Sequence, residues 1–85
     1  MYREMYNNIR FRGNIKIIDL QDKIDYNNWH FPKSINIPYD ELINNYRNYL
    51  NKNDVYYIYC KSGKLSKSAT AILSYLGYNV VMLEK

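Results

Sequence analysis

Residues 55–59 (VYYIY) limit the possible folds more than any other stretch of the chain. They form a run of β-branched and aromatic side chains, the composition of a strand. The run gives way at once to Cys60 and the polar segment KSGKLSKS. Beyond it Ala69, Ile72, Leu73 and Leu76 recur at three- and four-residue spacing, which predicts a helix. A strand that passes through a short polar loop into a helix is the building unit of α/β sheets.

The rest of the chain fits the same alternation. Residues 15–20 (IKIIDL) read as a buried strand, closed by Asp19 and Gln21. A short helical turn around Ile24 and Tyr26 leads to Trp29, His30, Phe31 and Pro32, and residues 34–37 (SINI) read as a second brief strand. Pro38 suits the first turn of a helix, with Leu42, Ile43, Tyr46, Tyr49 and Leu50 on one apolar face as far as Asn51. Gly77 is placed to stop the helix that follows the cysteine loop, and residues 79–83 (NVVML) form the last buried strand. Apolar rather than alternating strands predict a mainly parallel central sheet flanked by helices. The first 14 residues are polar and poorly patterned. Tyr56, Tyr57 and Tyr59 predict strand packing with one wet face.

At 85 residues the chain has room for one domain and one core, and apolar residues at 47% suffice to pack it. The net charge is +4, yet lysines and arginines are scattered, with no sustained basic run and no nucleic-acid motif. Such a surface favours small anions, and no nucleic-acid partner is expected. One cysteine can form no internal disulfide, CxxC pair or multi-thiolate metal site, so neither metal nor cofactor is expected. The reducing cytoplasm fits a lone thiol best. No apolar stretch approaches the roughly 20 residues that span a bilayer, and MYREMYNNIR is no secretory signal.

A free cysteine is most often an inert core residue. Position argues otherwise for Cys60, because the polar run after it cannot itself be buried. Ligands of open α/β sheets bind beyond the carboxyl ends of the strands, where a loop enters a helix. The backbone N–H groups of such a loop, with the helix dipole, stabilise an anionic sulfur, and Lys61, Lys64 and Lys67 add nearby positive charge. The expectation is a semi-exposed nucleophilic thiolate. Gly63 permits a tight or positive-φ bend, and Ser62 and Ser66 can donate hydrogen bonds or cap the helix.

These residues resemble the rhodanese-like domains, whose active loop runs C-x-x-G-x-R-S before a helix. Cys60, Gly63 and Ser66 match it. A second signature, [LI]-D-V-R followed by E-Y-x-x-G-H-I-P-G-A-x-N-I-P, is similar to residues 17–38, with Asp19, Tyr26, His30, Pro32, Asn36, Ile37 and Pro38 in register. The segment LSYLGYNVVML resembles the family's closing helix, glycine turn and strand. The resemblance covers most of residues 15–83. It implies a minimal single rhodanese-like domain over residues 1–85, lacking the family's terminal segment, so that one edge of the sheet or pocket is open. It also implies a sulfurtransferase: Cys60 takes sulfane sulfur from a small anionic donor such as thiosulfate and passes it, as a persulfide, to a thiol or protein acceptor. The segment Lys61, Ser62, Gly63, Lys64, Leu65, Ser66 is then the anion-binding loop, and Asp19 and His30 are structural support, His30 by fixing a turn.

Four departures bear on activity. Leu65 replaces the loop arginine, Gln21 the arginine after the first aspartate, Trp29-His30 the G-H pair, and Pro32-Lys33-Ser34 the P-G-A piece. Losing the loop arginine removes a fork-shaped anion donor that lysine does not replace, so turnover is expected to be weak, with Lys64 a partial substitute. A cysteine phosphatase or arsenate reductase would place arginine six residues after the cysteine, where Ser66 stands. The rival from another class is a non-catalytic module that keeps the fold and uses the loop to dock a protein or sense sulfur.

Overall fold

The computed structural model describes residues 3–85. The elements are β1 (Arg3–Met5), α1 (Tyr6–Ile9), β2 (Lys16–Asp19), α2 (Lys23–Asn28), β3 (Ile35–Asn36), α3 (Tyr39–Asn44), α4 (Tyr46–Tyr49), β4 (Val55–Tyr59), α5 (Lys64–Tyr75) and β5 (Asn79–Glu84). The five strands form one sheet in the order β1-β5-β4-β2-β3, and every described pairing is parallel.

β4 lies at the centre because both its faces are apolar. Tyr56 and Ile58 point into a cluster with Ile18, Leu42, Ala69, Leu73 and Val80, covered by α3, α4 and α5. Tyr57 and Tyr59 point into a second cluster with Ile9, Ile17, Phe31, Val81 and Leu83. The expected wet tyrosine face is therefore absent: α1 and the Phe31 segment cover it, leaving Tyr56, Tyr57 and Tyr59 at most 7% exposed. Alternate residues of one strand feed opposite clusters, as the pleat requires.

Residues 3–5 of the poorly patterned opening segment form β1, which pairs with β5 through Arg3, Glu4 and Met5 and lies outside it in the sheet. Two other expectations change. The helix expected from Pro38 to Asn51 is two short helices, broken at Asn45 with φ −132° and ψ 32°. Pro38 is the residue before the first helical one, with ψ 152°, rather than a member of the first turn. Gly77 does stop α5. At φ +95° it lets its N–H reach the Ser74 carbonyl and that of Tyr78 reach Leu73, a paired closure of the helix end.

The basic residues are also less scattered in space than in sequence. Arg10, Arg12, Lys16 and Lys33 line one cleft of about 390 Å³ at the end of the sheet where β2 begins. Arg12 donates to the Tyr57 hydroxyl, and Lys16 pairs with Asp54. Among the described residues no helix is long and apolar enough to cross a membrane, and no cluster of His, Cys, Asp or Glu is able to hold a metal ion.

Candidate active site

Cys60 follows the last residue of β4, and the alternation that sends Ile58 toward α5 sends Cys60 the same way. Its sulfur therefore lies against the first turn of α5. The backbone N–H groups of Gly63 and Ser66 each donate to Sγ at 3.1 Å. The thiol donates to the Ser66 hydroxyl at 3.4 Å, and that hydroxyl donates to the Gly63 carbonyl at 3.2 Å. Gly63 makes this possible with φ +83°, a conformation that costs an L-residue about 1–2 kcal/mol. Two N–H groups and the positive end of a 12-residue helix thus converge on one sulfur atom.

Cys60 is 5% exposed, which corrects the expectation of a semi-exposed thiolate. Most of the polar run after it stays in solvent, but Ser66 is buried, against the expectation for that run, and the cysteine side chain turns back beneath the loop beside it. Access comes through two openings. One, of about 170 Å³, lies beside β5 and is lined by Tyr59, Cys60, Lys61, Ser62, Gly63, Ser66 and residues 82–85. The other, of about 390 Å³, lies beside β2 and is lined by Leu20, Gln21, Asp22, Asp25, Cys60, Lys61, Ser62 and Leu65. This second opening sits between neighbouring strands β2 and β4, whose following loops lead to opposite faces of the sheet.

The loop residues divide accordingly. Lys61 and Ser62 line both openings, while Lys64 and Lys67 are exposed and line neither. Leu65 is 43% exposed at the β2-side opening. Ser62 Oγ accepts the Lys64 N–H at 3.3 Å and so helps to start α5.

Asp19 and His30 lie outside the cysteine loop's hydrogen bonds. Asp19 is fully buried. Its two carboxylate oxygens accept from the backbone N–H of Gln21 at 2.8 Å and from the Gln21 side chain at 3.0 Å. Burial raises its pKa, against the lowering effect of those two hydrogen bonds and of the nearby His30. Gln21 also donates to the Trp29 carbonyl, and Asn36 donates to the carbonyls of Asp19 and Gln21, so three side chains and three carbonyls tie the end of β2 together. Sequence reading missed Gln21 and Asn36 as members of this network; the sequence marks Gln21 only as a departure from the family pattern and gives no signal of its partners. His30 stacks on Tyr26 at 4.0 Å and donates from Nδ1 to the Tyr26 carbonyl at 2.8 Å. Tyr59 lies beside both groups of interest: burial first, then the charges of Asp19 and Cys60, raises its pKa and keeps the hydroxyl neutral.

A family model described as Rhodanese-like domain matches residues 2–85. Among solved structures, a protein of Staphylococcus saprophyticus is 27% identical, with 99% of this chain and 87% of that one covered and a TM-score of 0.88. A rhodanese-related protein of Thermoplasma volcanium is 25% identical, with 99% and 84% covered and a TM-score of 0.87. A rhodanese-like domain protein of Staphylococcus aureus is 26% identical, with 99% and 85% covered and a TM-score of 0.86. No curated protein matches the chain. With its strand order, its cysteine cradle at the start of α5 and a family match over nearly its whole length, the chain belongs to the rhodanese-like domain family.

Proposed function

We propose that this domain is a sulfurtransferase working through a Cys60 persulfide. The observation that carries the proposal is the pair of N–H groups, from Gly63 and Ser66, converging at 3.1 Å on a sulfur that borders two openings. In the first step the Cys60 thiolate attacks the outer sulfur of a donor such as thiosulfate. An S–S bond forms to Cys60, the donor's S–S bond breaks, and sulfite leaves with the electron pair. In the second step an acceptor thiolate attacks the outer sulfur of the persulfide, forming its own S–S bond and returning Cys60 as thiolate. Both steps put negative charge on sulfur within the cradle, where preorganised donors act without reorganisation. The cytoplasm, with its thiol pool, suits such a reaction.

A second reading, a catalytically weak module that docks a protein, is favoured by one observation: apolar Leu65, 43% exposed, stands at the opening in place of arginine. Intact-mass spectrometry separates the two. After incubation with thiosulfate or a polysulfide, the wild-type protein should gain a sulfur atom that reductant removes, and Cys60→Ser should not. No gain from either donor would leave docking as the better account.

A further inference from the structure

The two openings onto Cys60 differ in charge. Lys61 borders both, so it does not distinguish them. The β2-side opening adds Asp22 and Asp25, which repel an anion. The β5-side opening adds Glu84 and Lys85. Glu84 is bound to Arg3 at 2.9 Å, so its charge is offset, whereas the Lys85 ammonium lies 3.9 Å above the Trp29 ring and forms no ion pair among the described residues. Trp29 itself is held edge-on by Phe31 at 4.8 Å and by Tyr59 at 6.0 Å. The ring is thus a platform, packed against Phe31 and Tyr59, that holds at the mouth of the smaller opening a cation with no ion pair among the described residues. That opening, at about 170 Å³, is below the usual 300–1,000 Å³ of sites for drug-sized molecules and suits a small anion.

We infer that Lys85, positioned by Trp29, supplies the positive charge that draws an anionic sulfur donor to Cys60, and that the donor enters on the β5 side. The identity of the anion as a sulfur donor rests on the function proposed above. The charge selectivity does not, because it is a property of the cleft. Two departures from the family pattern then belong together: Leu65 gives up the loop cation, and Trp29 seats another on the opposite side of the cysteine.

The test uses the single cysteine and two alkylating agents of nearly the same shape. With either agent the Cys60 thiolate displaces iodide, forming one S–C bond and breaking one C–I bond. Iodoacetate carries a negative charge and iodoacetamide does not. In the wild-type protein the ratio of the iodoacetate rate to the iodoacetamide rate should exceed that of Lys85→Met roughly three- to tenfold, with the iodoacetamide rate itself nearly unchanged and Lys85→Arg retaining the wild-type ratio. The rate of sulfur uptake from thiosulfate should fall in Lys85→Met by a similar factor. An unchanged ratio, or an equal loss with both agents, would overturn the inference. A Lys85-dependent ratio in a wild-type protein that takes no sulfur from any donor would support this inference while sinking the proposed sulfur transfer.

Discussion

The buried carboxylate of Asp19 makes its contribution to stability depend on pH in an unusual sense. Its pKa in the folded chain is raised, chiefly by burial, although Gln21 and His30 pull it back. As pH rises, the unfolded chain loses this proton first and the native state holds it longer. Stability therefore declines through this interval and stays at the lower level above the folded-state pKa. Asp19→Asn removes the ionisation. Urea unfolding of both proteins at about pH 3.5 and about pH 7 should show the variant gaining on the wild type as pH rises; a constant difference would mean that Asp19 has an ordinary carboxylate pKa. The aspartate at the strand end was legible in the sequence, but its partners were not. Nothing in the one-dimensional pattern pairs Gln21 with Asp19 two residues away, or Asn36 with the carbonyls of β2.

Gly63 starts α5 and Gly77 follows its last turn, and the two share one backbone requirement, at φ +83° and φ +95°. Alanine at either position should cost about 1–2 kcal/mol, a drop in Tm of roughly 4–8 °C per kcal/mol for a domain of this size. At Gly77 the new methyl would also approach the Lys52 ammonium to 3.4 Å, but that side-chain end can move away. At Gly63 there is open space, so the penalty is purely conformational. Only Gly63→Ala disturbs the N–H that donates to Sγ. It should slow sulfur uptake at Cys60 about tenfold or more, while Gly77→Ala, equally destabilised, takes up sulfur at the wild-type rate. Equal rates in the two variants would deny the cradle its role. The ends of α5 were readable because glycine and the polar run punctuate them. The break at Asn45 was not, because Leu42, Ile43, Tyr46 and Leu50 reach the same cluster from two short helices and keep the apolar spacing of one. Three-residue β1, with one half-buried side chain between two exposed ones, carries no periodicity to read.

Across the whole molecule, a single sheet separates two apolar clusters and places the cysteine cradle at one end and the basic cleft at the other. The alternation of strands and helices predicted the parallel sheet. It could not predict that Arg10, Arg12, Lys16 and Lys33 would meet, since that depends on how the residue 10–16 loop packs beside the turn before β3. Both clusters are fed by the same strands: Ile17 and Ile18, Tyr57 and Ile58, and Val80 and Val81 face opposite ways on neighbouring residues. Loss of packing on one face must therefore loosen the strands that build the other. Leu73 of α5 is fully buried in the first cluster, and Leu73→Ala should cost about 2–5 kcal/mol. That is a large part of the roughly 4–13 kcal/mol expected for 85 residues. Trp29, the sole tryptophan, reports on the opposite face through its contacts with Phe31 and Tyr59. In Leu73→Ala its fluorescence transition should move to lower urea together with the far-UV circular dichroism, with coincident midpoints. A tryptophan midpoint that stays at the wild-type value while the dichroism shifts would show that the two faces unfold separately, and that the sheet does not couple them.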